Sequence, residues 1–151
     1  MSVATIRAQV VTTLDAIAGV SNVYSEEVST FEHQERMDGD RVHFWHVYID
    51  TMPTDHGIGF VEMQRRVRIE GFVGVARDDP TDGSASDTQA KNLLDLITST
   101  FASSTNRTLS GVVLDSVDYT PDQVTLVAKQ IGDEAHPCHR LAFSFMTSED
   151  A

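Results

Sequence analysis

The chain has 151 residues, 40% of them hydrophobic and 23% charged, and its 23 acids against 11 bases leave a net charge of −12. That length suits one domain, spanning residues 1–151, able to bury roughly 70% of the surface its unfolded form exposes. Neither a metal nor a disulfide is needed to hold such a core, and the single Cys138 allows no intrachain disulfide. The acid excess disfavours nucleic-acid binders, which work by neutralising phosphates, and proteins of anionic membrane surfaces. Met1 to Arg7 lacks the basic start and apolar run of a secretion signal, and no segment approaches the roughly 20 apolar residues that cross a bilayer. A cytosolic product is expected.

Ile6, Val10, Leu14 and Ile17 recur at helical spacing and predict an N-terminal helix over Ser2 to Ile17. Gly19 stands where a left-handed residue closes a helix, and Val20 to Tyr24 reads as a short strand. Residues 26 to 40 are polar without a period, ending in the turn signal Met37-Asp38-Gly39-Asp40. Arg41 to Ile49 is a strand with aromatic or β-branched residues on both faces. Thr51 to Gly59, with Pro53, Gly57 and Gly59, reads as a loop.

Arg66 to Val75 is the clearest strand: Val67, Ile69, Val73 and Val75 share one face, and Arg66, Arg68 and Glu70 the other. Gly71 and Gly74 within it mark a bulge or a close approach. Asp78 to Gly83 breaks the pattern. A second helix follows, N-capped by Ser86 with Gln89 as its capping-box partner, and carrying Ala90, Leu93, Leu94, Ile97 and Phe101 as its stripe. Three strands close the chain: Val112 to Val117, Gln123 to Ile131 and His139 to Thr147, with turns at Pro121-Asp122 and Gly132-Asp133. The expected fold is α+β: a mostly antiparallel mixed sheet of five to six strands with two helices packed on one face.

Tests for chemistry come out negative in the sequence. His43 and His46, three apart on a strand, point to opposite faces and share no metal. His136-Pro137-Cys138-His139 gathers possible ligands without a second pair to complete a zinc set, and reads as a turn entering a strand. Asp133 and Glu134 beside Cys138 oppose the electropositive setting a reactive thiol needs. The acid pairs Glu26-Glu27, Asp78-Asp79 and Asp133-Glu134 fall in expected loops, where nothing separates their pKa values for acid–base work. Gly57-Ile58-Gly59 lacks the third glycine and the strand-to-helix context of a dinucleotide loop. No catalytic, metal or cofactor residue is assigned.

What remains is an interaction signal. Phe44, Trp45 and Tyr48 lie on a strand that is apolar on both sides, and two helices cover only one face of a sheet. These three are the expected subunit or partner contacts, and the same pattern equally suits a strand sandwiched by loop residues of its own chain.

Four stretches together resemble the tail terminator (tail completion) proteins of long-tailed phages. They are the N-terminal helix running into Ala18-Gly19-Val20-Ser21-Asn22-Val23-Tyr24, and Val67 to Val75 followed by Asp78-Asp79. The third is the helix Ser86 to Phe101 with Leu109-Ser110-Gly111, and the fourth is Tyr119 to Val124 leading to Cys138 to Phe143. They cover about two thirds of the chain and are framework positions rather than chemistry. The resemblance implies a non-enzymatic virion protein of the tail-neck region, made in the host cytoplasm and assembled as a hexameric ring. Such a ring caps the head-proximal end of the tail tube, ends tail growth and meets the head–tail connector proteins, with genome DNA passing through its channel unbound. A head-closure or other neck protein is the nearest alternative. An enzyme using His43, His46 or His139 in a pocket, or an unrelated cytosolic binding module, are the others.

Overall fold

A computed structural model describes residues 3–25, 36–39, 41–55, 61–75, 84–113 and 115–150. In chain order the elements are α1 (Val3–Asp15), β1 (Val23–Ser25), β2 (Met37–Asp38), β3 (Arg41–Asp55), β4 (Val61–Gly74), α2 (Ser84–Ala102), β5 (Asp115–Pro121), β6 (Thr125–Ile131) and β7 (Glu134–Asp150). The fold is α+β, with two helices and a mixed sheet of seven strands, slightly more strands than the sequence predicts.

The sheet runs β1-β3-β4-β7-β5, with β2 on β3 and β6 on β7. Only β1 and β3 pair in parallel; the other pairings are antiparallel. β5 and β6 do not pair with each other. They follow one another along a single edge of β7, β5 against residues 143–148 and β6 against residues 134–140.

Period dictates the core. Ile6, Val10 and Leu14 form the buried stripe of α1, and Ala90, Leu94, Ile97 and Phe101 that of α2. They meet Trp45 and Val47 of β3, Val67 and Ile69 of β4, and Leu141, Phe143 and Phe145 of β7, all on one face of the sheet. Both helices therefore cover the same face. The end of α2 is anchored where Phe101 lies 5.9 and 5.3 Å from the Phe143 and Phe145 rings. Gly19 closes the first helical segment at φ +90°, a conformation L side chains rarely adopt.

At the centre of this layer Trp45 lies opposite Gly71, which lies opposite Leu141. A Cβ on Gly71 would stand 2.2–2.4 Å from three atoms of the Trp45 ring. Gly71 and Gly74 are close approaches, to an indole and to the backbone of Val42, and no register shift interrupts β4 against β3 or β7.

Several expectations need correction. β3 continues to Asp55, so residues 51–55 are strand rather than loop: they pair in register with residues 61–65, and that pairing outweighs the turn chemistry of Pro53. Residues 56–60, 26–35, 76–83 and Asp40 lie outside the described residues. α2 begins at Ser84, which places Ser86 inside the first turn instead of at the cap. Val112 and Val113 belong to a turn, where Gly111 and Val113 N–H groups donate to the Thr108 carbonyl; Leu109 and Val113 are apolar because they plug the core. β7 begins at Glu134, so His136-Pro137-Cys138 is strand, not turn.

Overpacking a closed core costs about 1–3 kcal/mol, occasionally more, so Gly71→Ala should sit at or above the upper end of that range in urea denaturation. Trp45→Ala should cost about 3–5 kcal/mol. In the Trp45→Ala background the added methyl meets a vacated space, and the further cost of Gly71→Ala should fall below about 1 kcal/mol. Additive losses would mean that the two residues do not share this contact.

Candidate functional site

Strand alternation separates the candidate histidines as expected. His43 falls on the helix-covered face with Trp45, and His46 on the opposite face with Phe44 and Tyr48, its ring 5.5 and 6.1 Å from theirs. His136 and Cys138 share one face of β7, and His139 takes the other. Among the described residues no three His, Cys, Asp or Glu side chains converge on a metal position. Cys138 is fully buried; burial pushes its thiol up to about 11 against the downward pull of Lys129, so at neutral pH it is a protonated core residue rather than a nucleophile.

The larger cavity, about 630 Å³, opens beside His43. It lies between Ala18–Ser21 after α1, Gln89, Asn92, Leu93 and Leu96 of α2, and Asp38 and Arg41 at the β2–β3 turn. The Ser21 N–H donates to His43 Nε2 at 3.3 Å, which leaves Nδ1 to carry the proton of the neutral ring. Burial lowers the His43 pKa; Asp38 draws it back up and Arg41 lowers it further. Asn22, at φ 57°, supports this corner: its Nδ2 donates to the carbonyls of Met37 and His43, and its own carbonyl accepts from Trp45 N–H. Nothing in the strand pattern flags Asn22. Asn directly before a strand, after a Gly-closed helix, is the one available signal.

The sheet face away from the helices divides in two. On one part Phe44 and Phe72 stack at 5.1 Å and bury Cys138 between β3, β4 and β7, with Met37, Val127 and Ile131 packed against them. On the other, around half-buried Tyr48, the side chains are charged and paired. Arg68 Nε donates to Asp50 at 3.0 Å and its guanidinium lies 5.0 Å from the Tyr48 ring centroid. Arg140 donates through Nε and Nη2 to one oxygen of Glu70, both at 2.8 Å, and its Nη1 lies 3.7 Å from Asp122. A shallow cavity of about 220 Å³ lies between these groups and Thr120 and Ser144.

Of the three expected contact residues, the structure places Trp45 in the helix-side core at 1% exposure and Phe44 in the smaller cluster, fully buried within one chain. Tyr48 alone presents surface. Sequence reasoning named it but missed Arg68, Glu70 and Arg140, whose register brings them beside it across three strands. Each cation is tied to a carboxylate, which suits these groups to flat recognition rather than to proton transfer. Compared with protein-family models and with curated protein sequences, the chain matches none. No helix among the described residues is long and apolar enough to cross a membrane.

With its pKa lowered, His43 in the folded chain binds fewer protons than in the unfolded chain at pH values below the ordinary 6.5. Its contribution to stability is therefore complete above 6.5 and lost as pH falls towards the lowered value. The urea midpoint should drop between about pH 7.5 and 5, and His43→Gln, neutral and still an acceptor for Ser21, should flatten that drop. An unchanged slope in the variant would assign the pH dependence to other groups.

Proposed function

We propose that this chain is a virion structural protein of the phage tail-terminator type. In this reading it forms a ring on the head-proximal end of the tail tube, ends tube growth and joins the tail to the head connector. The observation that carries the reading is the sheet face around Tyr48: an aromatic side chain set among fixed Arg–carboxylate pairs, on the side that the helices leave uncovered. Tyr and Arg dominate the energetics of protein interfaces because each combines large contact area with directed hydrogen bonds. Such a surface fits a neighbouring subunit.

Two further observations support it. The residues that resemble the terminator family build the frame of the fold: α1 packs on β1 and β3, β4 sits at the sheet centre, α2 packs on β7 and β5, and β5 to β7 complete the edge. The net charge of −12 suits a ring through which DNA passes, since acids around a channel repel phosphates and let the duplex slide.

Purified tail tubes that continue to polymerise should stop when the protein is added and show a ring at one end by negative-stain microscopy. Tyr48→Ala combined with Arg68→Ala should abolish capping, with a loss of monomer stability below about 1 kcal/mol, as expected of half-exposed groups. Tubes that elongate unchanged would refute the reading. Capture of a portal-side adaptor in place of the tube would move the protein to the connector.

A further inference from the structure

Among the described residues, the sheet ends on β1 at one border and on β5 and β6 at the other. Proteins blunt exposed edge strands with bulges, prolines, shortness or charge, because unpaired N–H and C=O groups invite another strand. β5 carries such devices: a register shift between Val117 and Thr120, Asp118 at φ 57°, and Pro121 at its end. β1 is only three residues long. β6 has none of them. Its seven residues, Thr125–Ile131, pair with β7 without a shift and contain no proline. Its one cation, Lys129, is turned onto the opposite face, with its ammonium 4.5 Å from the Phe72 ring centroid.

The ladder shows which groups are free. Pro137 lies opposite Ala128, and its carbonyl accepts from Val75 N–H on the β4 side. N–H and C=O of one strand residue point the same way; the Pro137 carbonyl points away from β6 and Pro137 has no N–H, so Ala128–Pro137 is a pair without mutual hydrogen bonds. By alternation Val127 and Lys129 bond to β7, and Leu126, Ala128 and Gln130 direct their N–H and C=O groups outward. No protein group among the described residues accepts or donates to them. On the helix-side face of the same edge the Leu126 side chain is 66% exposed, the most exposed large hydrophobic residue described.

Charge identifies the occupant. Acids stand at both ends of β6, Asp122 before it and Asp133 and Glu134 after it, all exposed. Antiparallel pairing of two β6 strands would bring Asp133 and Glu134 of one copy against Asp122 of the other, and like charges across a strand pair oppose association. A strand with cationic ends meets attraction at both. We propose that the β6 edge is a strand-addition site for an extended segment of a partner protein. That segment has Lys or Arg at both ends and an apolar residue that lies against Leu126. The backbone groups of Leu126, Ala128 and Gln130 would hold it, and Asp122, Asp133 and Glu134 would select it. Asp122 is shared with the Tyr48 face, where it lies 3.7 Å from Arg140, but the proposal does not depend on the ring reading.

The test uses the full-length protein and two fluorescent peptides of alternating Thr and Val, one ending in Lys pairs and the other in Glu pairs. Fluorescence anisotropy should show binding of the Lys peptide, weakened by salt, and at least about tenfold weaker binding of the Glu peptide. Ala128→Pro removes an outward N–H while keeping every bond to β7, as a proline on a free edge does. It should weaken the Lys peptide about tenfold or more with the urea midpoint retained. Asp133→Asn with Glu134→Gln leaves the backbone intact and should reduce the preference for Lys over Glu ends, which keeps the proposal testable if the proline variant is unstable. Failure of the Lys peptide to bind, equal binding by Ala128→Pro in its folded form, or equal binding of both peptides to the wild type would overturn it. Concentration-dependent self-association abolished by Ala128→Pro would overturn it too, by making a second copy the occupant.

Discussion

The indole of Trp45 lying across Gly71 is the contact on which the rest of the structure depends. Only a residue without a Cβ leaves room for that ring, and only at one register of β3 against β4 does the ring meet it. A one-residue slip would send Trp45 to the outer face and bring Phe44 under the helices. With the ring in place, α1 and α2 close over Val47, Val67, Ile69 and Leu141, and the alternate residues of β3, β4 and β7 are committed to the opposite face.

That opposite face is packed on one part and polar on the other. Where β6 curls over it, Val127 and Ile131 pack against Phe44, Phe72 and Cys138, and Lys129 covers the rings. Farther along the same strands no second layer follows among the described residues, and the alternation places Tyr48, Arg68, Glu70, Arg140 and Asp50 outward, the two arginines paired with Asp50 and Glu70. Exposed ion pairs add little to the stability of one chain because solvent screens them. Their fixed geometry instead presents a flat pattern of donors and acceptors around an aromatic ring. The protein's distinctive surface is thus made by the strands rather than by a cleft, consistent with a role in assembly.

Much of this was legible in the sequence wherever a period was long enough to read. The stripes of α1 and α2, the two-faced pattern of β4 and the Leu141-Phe143-Phe145 alternation each follow from repeated burial on one side. Legibility failed where pairing overrode local chemistry. Pro53 signals a loop but lies in a strand paired with β4, and Pro137 signals a turn but sits where β7 needs no donor towards β6. Val112 and Val113 read as strand because a core-plugging turn uses the same residue types. The surface around Tyr48 was half visible: the aromatic residue stood out, but Arg68, Glu70 and Arg140 come together only through a three-strand register that no local pattern encodes. Trp45 and Phe44 stood out as well, and their conspicuous size reflects filling the two cores.

In the proposed role this chain is a subunit of a closed ring. The most direct measurement is molar mass in solution by size-exclusion chromatography with light scattering, over a range of concentrations, alone and with tail tubes added. A ring subunit should give a discrete particle of six times the 16.6 kDa chain, either free or released from tube ends. A chain that stays monomeric or dimeric under both conditions would contradict it.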